Sequence, residues 1–554
     1  MKNSLILSAI ILLFVAVSCN DKTKDVSTAA SSINQEDLKN YISVLASDEF
    51  GGRAPASEGE EKTKQYLSEQ FEKLGLEPGN NGSWFQEVAM KKITAARNMQ
   101  MSITGGKEKL ALKSPVDFIG GTAQTSDHIT INNSDIIFIG YGINSPEYSW
   151  NDYQGLDVKG KTVVILVNDP GYATGDTSLF TGKAMTYYGR WTYKYEEAAR
   201  QGAKAAIIIH ETGAAAYPWE VVQNSWSGPQ FYLENNQFDG TDLDFKGWIT
   251  TDAAIKMFSA AGIDYNASVQ SAAQRGFKPI KLNLSMSVDF TNTAENVRSN
   301  NILAYWPGSE RKDELIIYTS HWDHLGINND FEGDTVLNGA VDNATGVAGL
   351  LEIARAFTKL SQRQDRSILF LAVTAEEQGL LGSEYYANNP VFPLNKTAAV
   401  INMDALNIFG KTNDMTIIGY GNSELDRYVE AALKEHGRYS RPDQTPEKGS
   451  YFRSDHFSFA KKGVPALYVS SGIENIEHGK EWAIQESEKW GRERYHKPSD
   501  NFEPDTWNME GMVEDLRIYF ETGYKLSTTS EFPQWKAGFP FRSLRDEMLH
   551  GTGQ

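Results

Sequence analysis

Between residues 314 and 404 short apolar runs alternate with amphipathic stretches, and that alternation predicts a parallel sheet flanked by helices. ELIIYTS (314–320), SILFLAVT (367–374) and TAAVINM (397–403) are strand-like, and residues 344–360 follow a helical period. Each strand runs into polar residues: His321-Trp322-Asp323 after the first, Glu376-Glu377 after the second, Asp404 after the third. Asp342, in NGAVDNATG, stands just ahead of the helical stretch. Parallel sheets hold ligands at the carboxyl ends of their strands, which is where these residues fall.

The flanking pattern completes an α/β chain. Residues 33–48 and 58–75 read as helices, the second closed by Gly75, with the Gly/Pro-rich turn EFGGRAPAS (49–57) between them. Residues 84–88 and 99–103 are strand-like. A strand (135–142), a second strand (161–167), a helix (193–202) and a third strand (205–209) then follow with no cluster of ligand-type residues. A helix over 506–526 closes the catalytic pattern, and the aromatic, turn-rich end has no assigned element. The expected division is a discontinuous catalytic domain (35–125 and 285–530), an α/β insert (126–284) and a C-terminal segment (531–554). The fold class expected is a mostly parallel mixed sheet flanked by helices, with a smaller inserted α/β domain.

Lys2, the apolar run 5–17 and Ser18 have the form of an export signal (1–18), too short to span a bilayer. Ala16-Val17-Ser18-Cys19 resembles the lipobox of bacterial lipoproteins, which implies that Cys19 is lipidated and begins the mature chain. A plain secretory signal is the alternative. Residues 19–34, polar and without periodicity, read as a tether. Cys19 is the only cysteine, so a lipidated mature chain has neither disulfide nor thiol chemistry. A net charge of −19 argues against nucleic acid and anionic membrane surfaces as partners, leaving a lipid anchor as the membrane contact. Neither oligomeric state nor membrane face is legible.

His321, Asp342, Glu377, Asp404 and His496 offer two imidazoles and three carboxylates, the ligand types of a hydrolytic metal site. That is one carboxylate more than a mononuclear site uses, and a carboxylate bridging two ions accounts for the surplus. The set suits zinc and also accepts cobalt or manganese. Asp323, two residues beyond His321, is placed to accept the second N–H of that imidazole. Glu376 neighbours Glu377, and adjacent residues at a strand end point in different directions, so one can bind metal while the other stays free as general base. His128, His210, His324, His436, His478 and His550 have no partner legible in the sequence.

HWDHLG, NGAVDNATG, TAEEQGLLGS, NMD and YHKPSDN, in that order, resemble the di-zinc exopeptidases of metallopeptidase family twenty-eight. The resemblance covers roughly 35–121 and 296–526, and the insert resembles a protease-associated domain. It implies one zinc on His321 and Asp404, a second on Glu377 and His496, and Asp342 bridging them. It also implies Glu376 as base, Asp323 orienting His321, and Tyr495 bonding an oxyanion. Residues 450–467 resemble a segment bordering the substrate pocket, with Arg453 and Ser454 as substrate-binding residues and Ser454, Asp455 and His456 as support for the site. The function implied is aminopeptidase action on peptides. Two alternatives stay open: a carboxypeptidase or dipeptidase in which Arg453 pairs with a substrate carboxylate, and a non-catalytic, receptor-like relative.

Overall fold

The computed structural model describes residues 24–234, 243–329 and 331–551, so the leader and Cys19 lie outside it. The described chain divides into two compact units: Met1–Val88 with Arg298–Asp443 and Ser454–Gln554, and Ala89–Val297 with Gln444–Arg453. The expected insert limits, Ser126 and Leu284, fall inside the second unit. Among the described residues no helix is long and apolar enough to cross a membrane.

The first unit is built on a mixed sheet with a parallel centre. Its strands Arg366–Val373, Arg311–His321, Thr397–Asn402 and Ala466–Ser471 lie side by side and parallel. The end of the long strand Ile280–Trp306 joins one side antiparallel, and Asp414–Ile418 joins the other antiparallel, followed by Tyr439–Pro442. Arg366–Val373 and Thr397–Asn402 are buried along their whole length, and Arg311–His321 from Leu315 onward, which is why they read as unbroken apolar runs. Ile316, Ile368 and Ile401 meet the apolar stripe of helix Thr345–Thr358 (Val347, Leu351, Ala354) in one core that also takes Leu516 and Phe520 from helix Glu510–Thr528. The carboxyl ends of three neighbouring strands therefore open at one edge.

Two stretches depart from the expectation. Residues 24–30, assigned to the tether, are helical and bury Ala29 and Ala30 in the core. Small residues carry no amphipathic signal, and the burial that stabilises them is tertiary. The unassigned C-terminal segment ends in helix Arg542–His550; Trp535 is buried and donates to the Gly463 carbonyl at 2.9 Å, and Arg545 donates to the Thr397 carbonyl at 3.0 Å.

In the second unit His128–Phe138, Thr162–Leu166, Ala205–His210 and Phe245–Thr250 form a parallel run, with Phe118–Gly121 antiparallel at one side. The first part of Ile280–Trp306 and the hairpin of Gln100–Thr104 with Leu110–Lys113 continue the other side. Helix Trp191–Arg200 precedes strand Ala205–His210, in the order expected for 193–202 and 205–209.

Candidate metal centre

His321 ends its strand with Nδ1 donating to the Asp323 main-chain carbonyl at 3.1 Å. That bond places a proton on Nδ1 and turns Nε2 into the site. Nε2 lies 3.2 Å from Asp342 Oδ1 and 3.4 Å from Asp404 Oδ1. On the other side of Asp342, Oδ2 is 3.4 Å from His496 Nε2, which lies 3.0 Å from Glu377 Oε2. Asp342 thus turns one oxygen toward each of two donor pairs, His321/Asp404 and His496/Glu377. All five residues assigned as ligands from the sequence meet here.

The second donor group holds one residue more. His324 Nδ1 lies 2.6 Å from Glu377 Oε1, so Glu377 divides its oxygens between His324 and His496. The ligand atoms of His321, Asp342 and Asp404 all lie within 4.8 Å of one another, and so do those of His324, Asp342 and Glu377. His324 was not legible as a site residue, although its place directly after His321-Trp322-Asp323 was the available signal.

Electrostatics show what the cluster favours. Asp323, Asp342, Glu377, Asp455 and Asp500 are buried beside Glu376 and Asp404, against the imidazoles of His321, His324 and His496. Burial opposes charge on His321, but Glu376, Asp342 and Asp404 outweigh it and hold the imidazole well above its usual range. His496 is likewise raised to about 10, Glu377 and Asp342 overcoming its burial. Burial favours protonated Asp342 and Glu377, yet the imidazoles drive Asp342 well below the carboxylate range and Glu377 to about 2. Burial raises Asp323 to about 8 and Asp455 to about 7, and, with Asp404 and Glu377, lifts Glu376 well above the range. A buried cluster this rich in carboxylate is costly unless cations compensate it. Hard oxygens and imidazole nitrogens converging on one carboxylate fit divalent transition metals.

Asp323 departs from its expected role. Its carboxylate is 3.8 Å from His321 Nδ1 and accepts instead from the backbone N–H of Glu376 (3.1 Å) and Glu377 (3.4 Å). The carboxylate therefore orients the Glu376-Glu377 loop, while its main chain orients the histidine. Ser454 donates to Asp404 Oδ2 at 2.6 Å and accepts from Asn402 Nδ2 at 2.7 Å, which ties it to a ligand rather than to open space. Tyr495 stacks its ring on His496 at 3.8 Å and is 38% exposed. Arg453 belongs to the second unit. His456, fully buried, packs its ring 5.1 Å from Tyr468.

Residues not singled out hold the ligands in place. Asp500, inside YHKPSDN, accepts from Val341 N at 3.1 Å and Asp342 N at 3.2 Å. Asn343 links Ser320 Oγ, the Met403 carbonyl and the Ala405 N–H, and so joins two strand ends to the residue beside Asp342. Left-handed backbone at Ala375, Ala405 and His496 (φ 53°, 53° and 57°) gathers at the same place. Such conformations persist only where the surroundings impose them, and they cluster at working sites.

Residues 301–520 match the family model described as Peptidase family M28. Leupeptin-inactivating enzyme 1 of Streptomyces exfoliatus is 28% identical over 203 residues, covering 36% of this chain and 41% of that protein. A glutamate carboxypeptidase 2 homolog of Caenorhabditis elegans is 22% identical over 521 residues, covering 83% and 62%. The chain thus spans 41% and 62% of the lengths of these curated relatives. An aminopeptidase structure from Aneurinibacillus sp. strain AM-1 superposes with a TM-score of 0.52 at 20% identity, over 92% of this chain and 97% of that one. At that identity the likeness is one of fold.

Proposed function

Residues 301–520 match the model of peptidase family M28, and from that premise we propose that the protein is a zinc-dependent aminopeptidase, removing N-terminal residues from peptides. The observation that carries this reading is Asp342, whose two oxygens face His321 and His496 at 3.2 and 3.4 Å. In this reading His321 and Asp404 hold one ion, Glu377 and His496 hold a second, Asp342 bridges, and cobalt or manganese substitutes for zinc. Bound there, the metal supplies Lewis acidity that polarises a peptide carbonyl and makes water a nucleophile at neutral pH.

The side chains do the rest. Glu376 takes the proton of the attacking water and returns it to the leaving amine. The two N–H bonds from the Glu376-Glu377 loop to Asp323 support that assignment, because they hold Glu376 in place without occupying its carboxylate. His324 shares Glu377 and keeps its second oxygen oriented. Tyr495, stacked on His496, is the residue assigned to hydrogen-bond the developing oxyanion. Ser454 positions Asp404, and Arg453 is the residue assigned to a substrate carboxylate. The second unit, with its strand–helix–strand order, is read as a protease-associated insert. Cys19 anchors the exported chain to the bacterial envelope through lipid.

The test combines metal analysis with free and N-acetylated dipeptides. About two ions per chain, and a large loss of kcat/KM on acetylation, are expected. Preference for N-blocked substrates with a free C-terminus would establish the carboxypeptidase reading, with Arg453 the next residue to substitute. Active protein without metal would end the metal reading.

A further inference from the structure

Arg53 is 1% exposed, yet among the described residues its guanidinium touches no carboxylate. Nε donates to the Trp322 carbonyl at 2.8 Å, Nη1 to the carbonyls of Leu45 (2.6 Å) and Asn338 (2.7 Å), and Nη2 to that of Gly339 (2.9 Å). Trp322 lies between His321 and Asp323, and Asn338-Gly339 opens the turn that delivers Asp342. The Arg53 carbonyl in turn accepts from the His324 N–H at 3.4 Å. One side chain from the N-terminal region thus joins the loop carrying His321 and His324 to the loop carrying Asp342.

The local backbone is shaped for this reach. Gly51, Gly52 and Arg53 are all left-handed, with φ of 54°, 64° and 49°. A Cβ on Gly52 would stand 2.4 Å from the Leu337 carbonyl oxygen and 2.6 Å from that of Gly326, so only glycine lets the tract enter. Burial lowers Arg53 to about 10, while Asp323, Asp500, Asp342 and Glu377 resist the loss of its charge. At neutral pH it remains a cation set among the ligand carboxylates, bonded only to main chain.

We propose that Arg53 is a positioning residue of the metal centre, whose planar fork fixes the spacing of the two loops that bring His321, His324 and Asp342 together. The inference rests on the metal reading above. A lysine keeps the charge but offers a single ammonium, which cannot serve four carbonyls in three directions. A merely structural role would cost stability alone; a positioning role also changes the metal environment of the folded protein.

The experiment titrates metal-free full chain with cobalt(II), recording stoichiometry, affinity and the visible spectrum, with thermal unfolding in parallel. Arg53→Lys and Arg53→Ala are compared with wild type and with Arg366→Lys. Arg366 is equally buried, donating to the carbonyls of Leu526 (2.6 Å) and Glu531 (2.9 Å), but it opens its strand at the end away from the ligands. The Arg53 variants should bind at least one ion about 10–100-fold more weakly, with an altered cobalt spectrum while still folded. Added guanidinium should restore part of the spectrum of Arg53→Ala. Arg366→Lys should lower Tm and leave all three metal readouts as in wild type. Wild-type affinity and spectrum in Arg53→Lys, or equal metal loss in Arg366→Lys, would overturn the inference alone. No cobalt uptake by wild type would overturn the metal reading, and the inference with it. Should Arg53→Ala not fold, Arg53→Lys carries the test.

Discussion

Gly346→Ala should damage the centre by adding a single methyl group outside it. Gly346 is in the first turn of helix Thr345–Thr358, and a Cβ there would stand 2.3 Å from Asn343 Oδ1 and 2.5 Å from Ser320 Oγ. Ordinary contact begins at 3.4 Å, so the amide must retreat by about 1 Å. It cannot do so freely. Asn343 donates to Ser320 Oγ (2.9 Å) and the Met403 carbonyl (3.1 Å), and accepts from Gly346 N (2.9 Å) and Ala405 N (3.2 Å). Losing these bonds at about 1 kcal/mol each, against at most about 1 kcal/mol gained from alanine's helix propensity, leaves a net loss of roughly 3 kcal/mol. Asn343 follows Asp342 directly, so metal affinity should fall about 10–100-fold as well. Gly349→Ala, one turn later, is the control. Its Cβ would meet Leu516 Cδ2 at 2.9 Å, Leu406 Cδ1 at 3.1 Å and Met403 Sδ at 3.3 Å, all ends of flexible side chains. It should stay within about 1 kcal/mol of wild type. Urea denaturation and metal titration of both variants decide the matter. A Gly346→Ala protein as stable and as metal-retentive as Gly349→Ala would refute the argument.

Two further outcomes follow from the geometry. Glu376→Gln should keep its metal and lose about 10²–10⁴-fold in kcat, whereas Glu377→Gln should also lower occupancy, measured by elemental analysis beside steady-state kinetics; normal kcat in Glu376→Gln would remove the base assignment. His436 is raised chiefly by its 2.9 Å bond to Glu521, so its contribution to stability is complete below the unfolded value of about 6.5 and is lost as pH rises through the folded one. His436→Gln should therefore flatten the stability–pH curve above pH ~6.5 in denaturant titrations, and an unchanged slope would disprove the linkage.

Much of the site was legible because its signals are local. An apolar run of buried parallel strand, followed at once by a ligand-type residue, places His321, Glu377 and Asp404 at one sheet edge without knowledge of any contact. Asp342 and His496 came from motifs whose chemistry required them, and the parallel centre of the sheet came from the same alternation. What was hidden depends on partners distant in sequence. Asp323 lies two residues from His321, and sequence spacing could not tell that its main chain would take the imidazole while its carboxylate turned to the Glu376-Glu377 loop. His324 reads as an isolated histidine until the fold sets Glu377 against it. The C-terminal helix is too short for periodicity to declare it, and Trp535 and Arg545 are held by carbonyls of Gly463 and Thr397.

The chain by itself determined which residues are competent for metal chemistry and on which ends of which strands they stand, because strand period and ligand type are written residue by residue. Only the tertiary structure decided how those ligands are shared and supported. Arg53 reaches Trp322 across 269 positions of sequence and Asp500 reaches Val341 across 159, and no local pattern encodes either meeting. Hydrogen bonds to main-chain carbonyls and N–H groups are blind to the identity of the residue they contact. They leave no mark on the partner's sequence and appear only when folding brings the two segments together.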